Sequence, residues 1–184
     1  NRRVLNGFYS MLGLTEQSGE IMRTVDKIEK IGPDMVRAIL VDDIKLTGEQ
    51  ADEILKFIAI TGTNEEVLAS LKGYCGRDEL FDRGYEELST VIKYLGGFGV
   101  AQENFKVDLT IARGLDYYTR TVFEFPSKRF GFALGGGGRY DGLVEEVGGK
   151  PTPALGFGLG LDRILMAMNE MGADFGNDAK CEVY

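Results

Sequence analysis

The stretch GGFGVAQENFKVDLTI, residues 96–111, separates two parts of the chain that have different hydrophobic patterns. Before it, apolar residues recur every three or four positions, which is typical of amphipathic helices. Within it, apolar and polar residues alternate from Phe105 to Ile111, which is typical of a half-buried strand. We therefore predict a change from helices to strands at the glycine-rich residues 96–99.

The part before these glycines carries several signals for helix starts and ends. An apolar stripe near the N-terminus predicts a helix that ends near Gly13, and Pro33 suits the first turn of another helix. A long helix is predicted from Asp78 to Leu95. Two capping boxes mark further helix starts: Thr47 with Gln50, and Thr63 with Glu66.

The part after the glycines reads as short strands followed by one helix. The helix is predicted over residues 161–171. Strands that follow one another without intervening helices favour an antiparallel sheet, so the predicted class is α+β rather than doubly wound α/β. The predicted strands are residues 105–111, 119–125, 131–134 and 154–159.

The residue counts exclude several kinds of chemistry. The 184 residues include no His, which excludes Ser–His and Cys–His catalysis and His-ligated metals. Cys75 and Cys181 cannot form a disulfide framework or a CxxC zinc site. One long-range disulfide stays open, but we expect two reduced thiols in a cytoplasmic protein. A signal peptide and a run of 18 apolar residues are both absent from the sequence, so we expect no membrane partner.

The charge is acidic and unevenly placed. The chain has 21 Lys and Arg against 29 Asp and Glu, and residues 1–104 hold 12 basic and 18 acidic side chains. Proteins that grip a phosphate backbone by bulk electrostatics are basic instead. Any contact with nucleic acid is therefore expected to be local. A patch of Arg23, Lys27 and Lys30, interpreted as sharing one helical face, is a candidate, and an ordinary solvated helix face is the alternative.

The first candidate site is ARGLDYY, residues 112–118. Neighbouring tyrosines on a strand face opposite ways, so one of Tyr117 and Tyr118 could line a pocket while the other packs. If this segment is a binding site, Arg113 holds an anion and the tyrosine hydroxyls make hydrogen bonds with a polar ligand. The alternative is a surface ion pair with two half-buried tyrosines on a hairpin.

The second candidate site is GGGGRYDG, residues 135–142. Four glycines weaken a strand unless another group must approach the backbone closely, and a flexible hairpin loop is the alternative. Two familiar phosphate loops are excluded nearby. Gly149-Lys150 is followed by Pro151 rather than the Ser or Thr of a Walker A loop, and Leu161 stands where a Rossmann fingerprint needs its third glycine.

The third candidate site is GFGLGLDR, residues 156–163. Glycines at every second position of a strand leave one face bare, so a flat ring can lie against the sheet. Arg163 then falls in the first turn of a helix, where a cation opposes the dipole by about 0.3–1 kcal/mol unless it shares an anion with the helix N-terminus. The alternative is tight helix–sheet packing with a solvated arginine.

Together these motifs resemble the histidyl-tRNA synthetases. ARGLDYYTRTVFE, residues 112–124, is similar to the histidine-specific signature of that family, and GGGRYDGLV, residues 136–144, to its second signature. PALGFGLGLDRI, residues 153–164, is similar to motif 3 of class II aminoacyl-tRNA synthetases, and the spacing of the three also matches. The resemblance implies part of the class II antiparallel sheet with flanking helices, plus an all-helical insertion domain.

The resemblance implies a role for each matching residue. Arg113 takes the place of the catalytic arginine that bridges the ATP α-phosphate and the histidine carboxylate. Arg163 takes the place of the motif 3 arginine that holds the ATP tail, and Glu124 is a candidate for holding Mg²⁺ or the substrates. The histidine pocket then includes Tyr117, Tyr118 and Tyr140. The adenosine lies over Gly156, Gly158 and Gly160.

The resemblance also implies a reaction, partners and a domain order. The histidine carboxylate attacks the α-phosphate of ATP, and histidyl-adenylate then transfers histidine to the histidine tRNA. The expected divisions are a helix of the catalytic core, the insertion domain, the C-terminal half of the catalytic domain with motif 3, and a linker that opens an anticodon-binding domain. Their bounds are residues 1–13, 14–104, 105–175 and 176–184.

The sequence differs from the family pattern in several places. Motif 1, which forms the family's homodimer interface, and motif 2 are not found in the 184 residues. We therefore expect the chain to be a piece of a homodimeric enzyme, and to be catalytically incomplete alone. Arg120 stands where many members have Gly, and we interpret this as a neutral variation.

Two rival readings stay open. One is the regulatory paralogue that partners ATP phosphoribosyltransferase in histidine biosynthesis, which usually lacks the insertion domain and the full arginine context of residue 113. The other is the synthetase-like domain of a stress kinase that senses uncharged tRNA. Arg113 and Arg163 argue against the sensor, because a sensor need not keep catalytic arginines.

Overall fold

The computed structural model describes residues 1–111, 117–127 and 129–174. The helices in these ranges are α1 (Arg2–Met11), α2 (Ser18–Val25), α3 (Ile28–Ile31), α4 (Pro33–Asp42), α5 (Gly48–Ile58), α6 (Asn64–Lys72), α7 (Glu79–Gly97), α8 (Leu143–Glu146) and α9 (Leu161–Glu170). A 3₁₀ turn spans Gln102–Asn104. Among the described helices, none combines the length and apolarity needed to cross a lipid bilayer.

Local sequence signals account for the starts of α5 and α6. The Thr47 hydroxyl accepts a hydrogen bond from the Gln50 N–H at 3.1 Å, and the Gln50 side chain accepts one from the Thr47 N–H at 3.0 Å. Thr63 and Glu66 make the same pair of bonds. Both predicted capping boxes are confirmed.

The helices α1 to α7 share one core. Phe8 of α1 stacks on Phe57 of α5 with ring centroids 3.8 Å apart, and Tyr74 and Phe81 pack around that pair. Leu109, beyond the last of these helices, also belongs to the core. Buried apolar surface of this extent is the main source of stability for the helical part.

Two glycines let α1 and α7 approach closely. A Cβ added to Gly84 would lie 2.6 Å from the backbone nitrogen of Val4, and a Cβ on Gly7 would overlap the backbone of Phe81. Because backbone atoms cannot move aside as the end of a flexible side chain can, both positions require glycine at this crossing.

The predicted strand over residues 105–111 is wrong. Those residues form no strand, and the buried side chain of Asn64 makes hydrogen bonds that a neighbouring strand would otherwise make. Its amide donates to the carbonyl of Phe105 at 3.0 Å and accepts from the N–H of Val107 at 2.8 Å. Of the alternating apolar residues, Val107 and Leu109 pack against the helical core.

The strands of the described chain are β1 (Val122–Pro126), β2 (Ala133–Arg139) and β3 (Leu155–Leu159). They form an antiparallel sheet in the order β1–β2–β3. The predicted antiparallel sheet and the α+β class are confirmed. The alternative of a flexible loop at the four glycines is wrong, because Gly135 to Gly138 lie inside the central strand.

The register gives the sheet two different faces. One face carries two rows of aligned residues, Val122–Gly138–Gly156 and Glu124–Gly136–Gly158, and we call it the glycine face. On the opposite face Phe123 and Phe157 flank Gly137, with ring centroids 6.4 Å apart. The alternation of glycine with large apolar residues thus leaves one face bare and the other aromatic.

Candidate functional site

The glycine face provides space for side chains from neighbouring segments. A Cβ on Gly138 would lie 2.7 Å from the Tyr118 ring, and one on Gly156 would overlap the Tyr140 hydroxyl. A Cβ on Gly158 would have no atom within 4 Å. Two of these glycines therefore make room for tyrosines, and the third faces open space.

Three tyrosines form a cluster on this face. The ring centroids of Tyr117 and Tyr118 are 4.6 Å apart, and Tyr140 meets the Tyr117 ring edge to face at 5.7 Å. Tyr118 is buried and Tyr117 and Tyr140 are half-buried. The carbonyl of Tyr118 accepts a hydrogen bond from the Arg2 guanidinium at 3.1 Å, so the first turn of α1 fixes this segment.

A cavity of about 400 Å³ lies beside the cluster. Its lining includes Tyr117, Tyr118 and Arg163. Its remaining lining comes from β2 and the end of β3: Ala133, Leu134, Gly135, Gly136, Gly158, Leu159 and Gly160. A site of this size with a flat backbone floor suits a planar ring with polar groups around it.

Arg163 reaches back from α9 to the sheet. It is exposed, and its guanidinium donates a hydrogen bond to the carbonyl of Ala133 at 2.7 Å and lies 5.5 Å from the ring centroid of Phe132. These contacts give the cation two partners despite its place in the first turn of a helix. The N-cap of α9 is Gly160, and the first turn carries the carboxylate of Asp162 as well as Arg163, so an anion at the first-turn N–H groups would meet both charges.

The structure brings most of the predicted site residues together. The cavity lining includes Tyr117, Tyr118, Gly158, Gly160 and Arg163. The others lie around it: Gly156 lies beneath Tyr140, and Glu124 lies in the row of Gly136 and Gly158 on the outer strand. Arg113 lies outside the described residues, as do Cys181 and the predicted final division over residues 176–184.

The partners of Arg163 were not predicted from the sequence. Ala133 begins β2 and Phe132 directly precedes it, and their contacts with Arg163 join residues 30 or more positions apart. No local sequence pattern assigns either residue to a cation.

The predicted basic patch does not lie on one helix. Arg23 lies in the last turn of α2, Lys27 is the N-cap of α3, and Lys30 lies in the last turn of α3. A two-residue turn at Asp26 and Lys27 separates the two helices, so the predicted single helical face is not continuous.

The chemistry available at the site is binding and charge neutralisation. Within the described ranges, no group of three or more His, Cys, Asp and Glu side chains is placed to hold a metal ion. A bare sheet face, a cation, an open helix N-terminus and three phenols remain. Such a set can hold a flat base, an anion and a small polar molecule side by side.

Comparison with known proteins identifies relatives of this chain. The family model described as histidyl-tRNA synthetase matches residues 17–164. The chain belongs to the histidyl-tRNA synthetase family. It is 41% identical over 172 residues to the histidine–tRNA ligase of Clostridium tetani, covering 92% of this chain and 39% of that protein. It is 36% identical to the Rhodopirellula baltica ligase, covering 100% of this chain and 42% of that protein.

Solved structures of the family share the fold. The histidyl-tRNA synthetase from Nostoc sp. PCC 7120 superimposes with a TM-score of 0.85 at 35% identity, over 94% of this chain and 41% of that one. An ATP phosphoribosyltransferase regulatory subunit/histidyl-tRNA synthetase from Bacillus halodurans gives a TM-score of 0.69 at 24% identity, which shows a common fold alone. The 184 residues thus span about two fifths of the length of the synthetases they match.

Proposed function

We propose that the protein containing this chain is a histidine–tRNA ligase. It activates histidine by attack of the histidine carboxylate on the α-phosphate of ATP, releases pyrophosphate, and transfers histidine from the adenylate to the histidine tRNA. The observation that carries this proposal is the cavity between the tyrosine cluster and Arg163, with a glycine floor on which a purine can lie.

The two ends of the cavity suit the two substrates. The phenols of Tyr117, Tyr118 and Tyr140 bind and orient histidine, and the bare backbone at Gly158 supports the adenosine, with Gly160 also lining the cavity. Gly156 lies beneath the Tyr140 hydroxyl instead. Arg163 neutralises the ATP tail. Arg113 bridges the α-phosphate and the histidine carboxylate, and it is the catalytic residue in this proposal. The reaction needs positioning and charge neutralisation rather than a protein base, which agrees with the absence of His.

A single carboxylate on the glycine face fits Mg²⁺ bound through ATP. Mg²⁺ is commonly held by one or two carboxylates together with substrate phosphates. Glu124 lies in register with Gly136 and Gly158, beside the floor of the cavity. We assign Glu124 to hold Mg²⁺, which supplies neutralising charge to the phosphates when bound.

We further propose that the full-length protein is a cytoplasmic homodimer. Residues 14–104 form its insertion domain next to the catalytic core. Because those residues are acidic in sum, their contact with the tRNA acceptor arm is confined to a small surface. The 184 residues alone do not activate histidine, so histidine-dependent ATP–pyrophosphate exchange by this piece would contradict that part.

The decisive experiment uses the full-length protein. Wild type is expected to catalyse histidine-dependent ATP–pyrophosphate exchange and to aminoacylate histidine tRNA, and Arg113→Ala to lose both. Arg163→Ala should raise the KM for ATP by about 10- to 150-fold, because a hydrogen bond to a charged group contributes about 1.5–3 kcal/mol. Arg129→Ala is the matched control, since that exposed arginine contacts Glu170 outside the cavity.

The regulatory alternative makes the opposite prediction. A regulatory subunit has no histidine-dependent exchange in the full-length form but alters the activity of a transferase partner. Wild-type protein that is folded yet inactive in exchange would therefore overturn the proposed ligase.

A further inference from the structure

An ion-pair network joins the helical part of the chain to the sheet. At its centre Arg120 contacts two carboxylates, Glu87 of α7 at 3.0 Å and Asp141 at 2.6 Å. Glu87 also pairs with Arg3 at 2.7 Å, and Asp141 pairs with Arg139 at 2.7 Å. We call Glu87, Arg120 and Asp141 the Arg120 bridge.

Two of the three bridge residues are close in the sequence to residues of the candidate site. Asp141 directly follows Tyr140, and Arg120 is two residues after Tyr118. The Asp141 N–H donates to the Thr119 hydroxyl at 3.1 Å, so the two tyrosine-bearing segments are also tied to each other.

The opposite side of the same segment is held by α1. The carbonyl of Arg120 accepts from the Arg2 N–H at 2.8 Å, and the carbonyl of Tyr118 accepts from the Arg2 side chain. The segment from Tyr118 to Arg120 is therefore anchored to α1 through its backbone and to α7 through the Arg120 side chain. Its position relative to the sheet depends on both helices.

The bridge is more than a surface ion pair. Its side chains are 22–29% exposed, so solvent screens them less than it screens fully exposed pairs. The Arg120 Nη1 donates a hydrogen bond to Glu87, whereas its Nε lies 2.6 Å from Asp141 as an ion-pair contact without hydrogen-bond geometry. A lysine has a single ammonium and cannot reach both carboxylates with this geometry. Arg120, expected from the sequence to be a neutral variation, connects two elements that are distant in the sequence.

We infer that Arg120 is a positioning residue that sets the spacing of Tyr118 and Tyr140 by linking both tyrosine segments to α7. The inference rests on the proposed function, in which these tyrosines bind histidine. It assigns to α7 and to Arg120 an effect on histidine recognition, although neither lines the cavity beside Arg163.

The test compares Arg120→Gln, Arg120→Lys and Arg83→Gln in the full-length protein by ATP–pyrophosphate exchange. Arg83 is the matched control, since its ion pair with Glu79 lies within α7. For Arg120→Gln we expect the KM for histidine to rise by roughly tenfold or more, because a displacement of about 1 Å can cost up to a hundredfold. The KM for ATP should stay within about twofold, and Arg120→Lys should fall between Arg120→Gln and wild type.

Further measurements separate positioning from loss of fold. Urea unfolding identifies variants that do not fold. If Arg120→Gln does not fold, Glu87→Gln replaces it in the test, because that substitution leaves the pair between Arg120 and Asp141 in place. Asp141→Asn combined with Arg120→Gln should raise the histidine KM by less than the product of the two single effects. An unchanged histidine KM in a folded variant, or equal increases in both KM values, overturns the inference. A wild type without exchange activity overturns the proposed function instead.

Discussion

Gly158→Ala is the sharpest test of the glycine floor. The added Cβ projects from the glycine face at a point where no atom lies within 4 Å, so the protein itself has room for it. Gly158 also has no positive φ that would strain an alanine. The substitution therefore acts on whatever occupies the cavity and leaves the fold intact.

The expected magnitude follows from the size of the methyl group. A ring stacked directly on a glycine strand sits at van der Waals distance from the backbone, so a methyl group lifts or tilts it. Inserting a methyl group into a packed contact typically costs about 1–3 kcal/mol, which corresponds to about a 5- to 150-fold rise in the KM for ATP. Folding stability should be unchanged or increase by up to about 1 kcal/mol.

The assay is ATP–pyrophosphate exchange by the full-length protein, with the KM for ATP and for histidine measured separately. Gly96→Ala is the control, because a Cβ there is equally unhindered but lies at the end of α7. Gly156→Ala is the contrasting variant, since its methyl group would displace the Tyr140 hydroxyl. It should raise the KM for histidine and lower stability.

One result would refute this reasoning. If Gly158→Ala is folded and its KM for ATP equals that of wild type, no ring lies on the strand at this position. The open space above Gly158 would then not be the place where the adenosine binds.

Two further predictions concern the fold. Gly84→Ala should destabilise the protein by about 1–3 kcal/mol in urea unfolding, because the methyl group meets the backbone of Val4; Gly97→Ala, in open space on the same helix, should not, and equal stabilities would contradict the close crossing. Burial raises the pKa of the Asp108 carboxyl, but hydrogen bonds from Thr110 and the nearby Lys106 ammonium outweigh it and hold that pKa below its usual value. The resulting stabilisation is present above about pH 4 and is lost as the pH falls through the lowered pKa. The difference in unfolding free energy between wild type and Asp108→Asn should therefore shrink below about pH 4. A difference that does not change with pH would contradict this assignment.

Helix starts could be predicted because their determinants are local. The capping boxes at Thr47 and Thr63 need only residues three positions apart, and both form as expected. The end of α1 is similar, because Gly13 follows the helix with a φ of +72°. Each of these features is complete within a few residues of sequence.

The strand expected over residues 105–111 failed because its partner is not local. Alternating apolar and polar residues indicate that every second side chain is buried. They do not indicate which groups make hydrogen bonds with the backbone. Here the side chain of Asn64, some 40 positions away, receives and donates them. A buried asparagine at the start of a helix gave no sign of that role.

In the candidate site, too, local features could be predicted from the sequence and long-range contacts could not. The motifs identified most of its side chains, because the chemistry of arginine, tyrosine and glycine is visible in the sequence. The contacts that position them were not visible: Arg163 meets Ala133, and Arg120 meets Glu87 across 33 positions. Such contacts depend on how the elements are arranged in space, and no local pattern specifies that arrangement.

The glycine face illustrates why a motif and a structure answer different questions. Period-two glycines in β3 predict a bare face, and the antiparallel register extends it across β2. On that face, Tyr118 covers Gly138 and Tyr140 covers Gly156, while Gly158 remains open. Gly156 and Gly158 of one motif thus have unequal roles, because one makes room for the protein's own side chain and the other leaves space for a ligand. Substitutions at Gly156 and Gly158 should therefore separate histidine binding from ATP binding, although the two residues are only two positions apart.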